Sequence, residues 1–340
     1  MRRMNLKTQN KVLQYLIRAI QSLIIPVGMW AIFALLTNGR TATTRMLLTT
    51  LRQSVSASII CYGLMLAMDV GMMNFSAGGM MLFAGIIGGN LAKTLGWGWP
   101  GLVLFCILIC VLEGAAEGLL YNAMRVPCIV MSIGMMLVWE ALPKLIYPNG
   151  VNLVGDITKL CKQPYCFYVL GITAVLFYII YNKTPFGHNL RAIGSNQSIA
   201  NSVGLDPDRI KFAVFTIGGL FLGIGAVLYI SNAGEQRNVS AMGSMTIMMD
   251  GFMGMFIAMF IAKYCDMSIA VVLGTFTMKM LSNGFVAMGL SSTVRDIIQG
   301  VFLLVLLVIS ANAGLLERVK ADRAFKEKCE TDYQTTQRAT

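Results

Sequence analysis

The chain has 340 residues, 56% of them hydrophobic and 13% charged, with a mean hydropathy of +0.68. No soluble domain needs that much apolar surface, so composition selects an all-α polytopic membrane protein. The net charge of +11 does not call for nucleic acid, because the basic residues gather at the two ends and in one central polar island, as the positive-inside rule expects.

Residues 1–18 form a basic tail (Arg2, Arg3, Lys7, Lys11, Arg18) that reads as cytoplasmic. The apolar run Ala19–Leu36 follows without a small-x-small cleavage site and reads as a retained first helix. Further runs long enough to span are Leu47–Met68, Ala77–Leu95, Gly101–Tyr121, Cys128–Ile146 and Tyr165–Tyr181. Beyond a polar island come Phe212–Ser231, Met245–Tyr264, Ser268–Met288 and Asp296–Asn312. About ten crossings result, filling residues 19–313, with both termini cytoplasmic. The second and third runs are also legible as one broken element. Residues 314–340 form a second charged tail (Arg318, Lys320, Arg323, Lys326, Lys328). Small residues such as Gly114 and Gly118, four apart, suit close helix–helix approach, and two halves of similar hydropathy hint at an inverted repeat.

The polar island, residues 184–211, carries Arg191, Arg209 and Lys211 and must lie in water. Polar residues can open a helix over Ser195–Val203 and Gly204 can end it; Asp206-Pro207 then restarts the chain. On composition alone it reads first as an ordinary surface loop and second as a short helix outside the bilayer.

Several ionisable residues fall inside apolar runs. Glu113 and Glu117 share one face of the fourth run, while Arg52, Asp250 and Lys279 lie in the second, eighth and ninth. They either line a path for a hydroxyl-rich solute, or Glu113 or Glu117 pairs with Arg52 or Lys279 to fix packing; proton coupling through Glu113 is a further reading. Asn74 and Ser76, between Gly71 and Gly78, fit irregular backbone facing protein or a cavity rather than lipid. The 25 methionines suit deformable packing better than a copper(I) lining, since no Cys or His is arranged with them. Cys161 and Cys166 share an expected outer loop and can pair only if their geometry allows. His188 is the single histidine, so neither a histidine metal cluster nor a histidine triad within this chain is expected, and no P-loop occurs.

The order Thr184, Phe186, Gly187, Arg191-Ala192-Ile193-Gly194, Asn196, Ala200 and Gly204 resembles the inner-membrane permeases of ribose- and galactose-type ABC importers. The block Gly71–Gly78 resembles a stretch that breaks a membrane helix near the pathway in that family, with Asn74 in place of an acid. Gly118, Asn122, Arg125-Val126-Pro127, Ile129, Val130, Ser132 and Gly134 resemble a third motif, and Leu281, Asn283, Gly284, Gly289 and Ser291-Ser292 a fourth. The chain departs from the family at Ala262–Met267, where a glycine-rich connection is usual, which marks a divergent member.

The resemblance implies an ABC importer type II-like permease fold in the inner cell membrane. It implies that residues 184–211 couple to ABC ATPase subunits through Arg191, Gly194, Asn196, Ala200, Gly204 and Asp206. Asn74, Ser76, Glu113 and Glu117 become candidates for the translocation path. A second permease subunit (a copy or a sister chain) and an extracytoplasmic solute-binding protein complete the assembly within the lipid, with no nucleic acid. ATP and Mg belong to the ATPase, leaving no cofactor and no catalytic or metal residue here. The expected solute is a monosaccharide such as ribose or galactose. Nucleosides or branched-chain amino acids are the alternative within the family, and an ion-coupled secondary transporter or a non-transporting scaffold lies outside it.

Overall fold

Long apolar runs punctuated by glycine, proline and small polar residues fold into helices whose ends fall at those stops. The computed structural model describes residues 21–308, apart from positions 38, 40, 42, 154, 163, 292, 296, 303, 306 and 307. The expected tails, residues 1–18 and 314–340, and the side of the membrane on which they lie, fall outside the described residues. Two compact units divide after Met288. The second contains helical turns between residues 293 and 302, within the tenth expected span, whose remainder is largely outside the described residues.

The first unit comprises α1 (Gln21–Leu36), α2 (Thr44–Asp69), α3 (Ala77–Thr94), α4 (Gly98–Met124), α5 (Cys128–Ile146), β1 (Val151–Asn152) and a 3-10 helix (Gly155–Cys161). Then come α6 (Tyr165–Lys183), α7 (Pro185–Ser195), α8 (Gln197–Ser202), α9 (Pro207–Ala233), β2 (Glu235–Gln236), α10 (Met245–Ile261) and α11 (Met267–Ala287). Among the described residues, six helices are long and apolar enough to cross a membrane, namely α2, α4, α5, α6, α9 and α11. The expected spans at α1 and α10 are shorter apolar helices.

One end of the unit carries a two-stranded antiparallel ribbon pairing Val151 with Gln236 and Asn152 with Glu235. Asn90 Nδ2 and Lys93 Nζ near the end of α3 donate to Gly150 O and Asn152 O there. The opposite end carries α7 and α8, and Asn122 Nδ2 near the end of α4 donates to Asp208 O at the start of α9 (2.8 Å). Helix direction therefore alternates through the bundle.

The core forms around α2 and α9, the most enclosed spans; α5 and α6 are the least. Tyr62 stacks on Phe177 at 4.4 Å, Phe177 meets Phe221 at 5.6 Å, and Tyr62 donates its hydroxyl to Ser268 O. Buried Ser58 and Thr275 bond across α2 and α11 at 2.6 Å. A buried hydroxyl pair of this kind stabilises a membrane bundle by about 1 kcal/mol.

The hint of an inverted repeat takes structural form. α2 and α9 have 26 and 27 residues, and the helices after them, α3 and α10, have 18 and 17. The packing follows the same relation, for α4 lies on α9 and α11 lies on α2. Each short helix is preceded by irregular backbone, residues 70–76 in one half and 237–244 in the other. Paired short helices in corresponding positions of two halves are the arrangement that places a binding region near mid-depth.

Candidate functional site

The polar island folds as two helices, not as the single short helix expected over Ser195–Val203. Thr184 caps α7 by accepting from Gly187 N at 3.3 Å, and Pro185 fills the first helical position, where its missing N–H is no loss. That Thr-Pro pair was the legible signal for an earlier start. Asn196, with extended backbone (φ −161°), breaks the run and caps α8 by accepting from Ile199 N at 3.1 Å. Gly204 turns the chain at φ +90°, and Asp206 caps α9 by accepting from the amides of Asp208 and Arg209.

α7 is fixed to the ends of α2 and α6 by close backbone approach. A Cβ on Gly187 would overlap the Tyr181 carbonyl, and one on Gly194 would overlap the Asp69 carbonyl. Arg191 lies over the Tyr181 ring at 5.1 Å, and its Nη2 is 2.8 Å from His188 Nδ1. Asp69, the last residue of α2, faces both Tyr181 and Arg191. Ala200 is buried where α8 rests on α7 and α9, whereas Ile199 and Val203 are 62% and 77% exposed. The six expected coupling residues thus divide by role. Gly194 and Arg191 hold α7 to the spans, Asn196 and Asp206 cap helices, Ala200 seats α8, and Gly204 turns the chain.

The expected path residues meet inside the bundle. Ser76 Oγ is 2.5 Å from Asn74 Oδ1 and 2.7 Å from Glu117 Oε2, its single proton serving one of them at a time. Asn74 Oδ1 also accepts from Ser76 N (3.0 Å), and Trp139 Nε1 on α5 donates to Glu117 Oε1 at 2.8 Å. Asn74, Ser76 and Glu117 are therefore one buried network at the start of α3. Glu113, one turn along α4, is 3% exposed and lies beside the Cys110 thiol of its own helix.

The pairing expected between these acids and Arg52 or Lys279 does not occur. Lys279 on α11 forms an ion pair with Asp250 on α10, the helix it packs against. Arg52 sits at the ribbon end, where Nη2 reaches Cys161 Sγ at 3.8 Å. Glu117 on α4 instead meets Ser76 at the start of α3 and Trp139 on α5. Cys161 and Cys166 are both free thiols, because Cys166 belongs to α6 and Cys161 Sγ is turned to Asn232 Oδ1. For the Asp250–Lys279 pair, Lys279→Ala should lower the thermal midpoint in detergent more than Lys279→Ala combined with Asp250→Ala, since the single change strands a half-buried carboxylate. Equal midpoints would show the pair to be energetically idle.

Sequence reasoning passed over Glu140 in α5. Its carboxylate accepts from Met242 N (3.1 Å) and Ser244 N (2.8 Å) in the stretch before α10. Ser244 is fully buried, and a Cβ on Gly78 at the start of α3 would overlap the Ser244 carbonyl. Phe75 stacks on Phe252 at 5.3 Å beside this contact. The two short helices therefore meet start to start. Rise per residue locates the meeting: Glu117 lies about 10 Å short of the α4 terminus near Asp208, and Glu140 about 9 Å short of the α5 terminus at the ribbon. Both points lie inside the hydrocarbon thickness of about 30 Å.

A family model described as branched-chain amino acid transport system / permease component matches residues 46–309. The chain is 26% identical over 217 residues to the autoinducer 2 import system permease protein LsrC of Enterobacter sp. (strain 638), covering 58% of this chain and 63% of that relative. It is 22% identical over 274 residues to LsrC of Photorhabdus luminescens, covering 78% and 82% of the two chains. To the ribose import permease protein RbsC of Bacillus subtilis (strain 168) it is 24% identical over 300 residues, covering 81% and 85%. No solved structure gives a significant match.

Proposed function

The chain belongs to the permease-component family of branched-chain amino acid transport systems, and from that premise we propose that it forms the translocation path of an ATP-driven importer for a monosaccharide-type solute. It is a multi-pass membrane protein and a transport subunit, so ATP and Mg belong to partner ATPase subunits. A solute-binding protein delivers at the ribbon end, a second permease subunit completes the path, and the α7–α8 end faces the cytoplasm and the motor.

The observation that carries this reading is the α7–α8 pair. Two short helices outside the spans are seated by backbone contact at Gly187 and Gly194, yet leave Ile199 and Val203 bare to water. Bare aliphatic side chains on a polar projection are what a groove in a partner would take up. The preference for a sugar over an amino acid draws on the relatives named for ribose and autoinducer 2, and on buried hydroxyl, amide and carboxyl groups suited to a hydroxyl-rich solute. Conformational change then requires only that the ATPase hold α8 differently in its two nucleotide states.

Changing Ile199 and Val203 together to Asp should abolish co-purification of the ATPase subunits while leaving the chain in the membrane. Retained co-purification would remove the docking assignment. The function itself is tested by reconstituting the chain with its native partners and measuring ATP-dependent accumulation of ribose, galactose, autoinducer 2, leucine and a nucleoside. Accumulation of a sugar-like solute is expected. Accumulation of leucine or the nucleoside would move the substrate class, and uptake by the chain alone under an ion gradient would replace the importer by a secondary transporter.

A further inference from the structure

Glu140 has no part in the reading above, yet both its oxygens are bonded, as those of Glu117 are. Both its oxygens accept backbone amides, those of Met242 and Ser244. The turn that supplies them is strained, since Ala241 and Met242 have φ of 55° and 64°. Left-handed backbone at a non-glycine residue persists only where its surroundings over-determine it. Here the surroundings are one carboxylate making two charge-assisted bonds. The same carboxylate places negative charge at the start of α10, where the aligned peptide dipoles favour it.

The neighbouring residue completes the arrangement. Trp139 donates to Glu117, which contacts Ser76 at the start of α3. Consecutive residues of α5 thus hold the starting ends of both short helices, one approached from each face of the membrane. α5 is otherwise among the least enclosed spans. Removing its grip would leave the turn at 238–244 with strained backbone and free amides, and Ser244 no longer pressed on Gly78.

We propose that Glu140 is a positioning residue, a latch that keeps the turn before α10 tucked against the start of α3 and so closes the path on the ribbon side until solute passes. The two bonds and the packed turn are properties of this chain; that they close a path rests on the importer reading. Breaking the two bonds frees the turn to relax towards water at the ribbon end. The latch and the Glu117 network then respond to the same displacement of α5.

Ser244→Cys provides the probe, because the Ser244 hydroxyl is buried without a hydrogen-bond partner and a thiol replaces it with little change. Membranes carrying this variant are treated from the ribbon side with a membrane-impermeant maleimide, and labelling is read site by site by peptide mass. Labelling at position 244 should be slow in the parent and rise at least tenfold with Glu140→Gln, which keeps one acceptor, and further with Glu140→Ala. Buried Cys61 and Cys106 are internal controls for general loosening. If they label in step with position 244, Glu140 is only a packing element and the proposal falls; an unchanged rate at 244 overturns it equally. Glu140→Gln is decisive should the alanine variant fail to accumulate.

In the reconstituted complex the Gln variant should also hydrolyse more ATP per solute imported. Faster labelling with unchanged coupling would overturn the gating role. Absence of ATP-driven uptake in the parent would count against the importer reading alone, since the labelling needs neither ATP nor partners.

Discussion

Gly194→Val should bring solute uptake to background while the chain still reaches the membrane at its normal level. The valine Cβ would occupy the space of the Asp69 carbonyl, and backbone cannot yield as a flexible side-chain tip can. α7 must then lift from the end of α2, carrying α8 with it. Insertion should be unaffected because the Gly194 contact is with the last residue of α2, at the end of that span and not along it. Asp69 runs directly into the 70–76 stretch that delivers Asn74 and Ser76 to Glu117. A displacement at α7 therefore has a short, stiff route to the buried network. Gly204 provides the contrast, since a Cβ there meets nothing within 4 Å and only its φ of +90° resists substitution. Gly204→Asn should lose no more than about 1–2 kcal/mol of local stability and keep most uptake. Wild-type uptake by Gly194→Val, measured as ATP-dependent accumulation in vesicles, would show that the α7–α2 contact transmits nothing.

What the sequence discloses follows from how far each signal reaches along the chain. The spans at α2, α4, α5, α6, α9 and α11 were legible because apolar length is a local property, and their boundaries shift by up to five residues; α9 begins at Pro207, not Phe212, because Asp206 and Pro207 form a cap and first turn. The network of Asn74, Ser76 and Glu117 was half legible. Polar residues in apolar runs had to face protein, but nothing local says that Ser76 would find Glu117 in preference to a cation. Lys279 shows the converse: a lysine and a glutamate in different spans have no register until the bundle packs, and Lys279 took its neighbour Asp250. Glu140 was passed over although it is a carboxylate inside the fifth apolar run, the signal that marked Glu113 and Glu117; its partners, being backbone amides, leave no mark in sequence. The turn at 237–244 went unremarked for the same reason, since its polar residues conceal that the chain dips inward. The break within Thr184–Lys211 was legible in Thr184-Pro185, a start signal overlooked in favour of the Asn196–Gly204 motif.

Gly219→Leu should leave little folded protein, and Gly219→Ala should lower the thermal midpoint, although both replace glycine by a better helix former. The reason lies in the α4–α9 seam. Gly114 covers the Phe215 carbonyl and Gly219 covers the Cys110 carbonyl, while a Cβ on Gly223 would come 2.7 Å from Ile107 Cα and one on Gly118 3.0 Å from Phe212 Cα. Glycines from both helices thus let two backbones touch, and the sequence pair Gly114 and Gly118 supplies half of that seam. In lipid there is no hydrophobic drive to bring helices together, so their contact rests on close packing and bonding. A leucine at 219 forces the axes apart, and each neighbouring contact weakens steeply with the gap. A loss of about 3 kcal/mol or more is expected, large against a typical total stability of 5–15 kcal/mol. Gly171 on α6 has nothing within 4 Å of its Cβ position, so Gly171→Ala should raise the midpoint slightly, by up to about 1 kcal/mol in stability. The same substitution therefore carries opposite signs at two helical positions, and size-exclusion yield with thermal unfolding in detergent reads both. A Gly219→Ala variant as stable as the parent would mean that the α4–α9 seam is looser than the backbone contacts require, and the firm frame against which α5 and the short helices move would be lost with it.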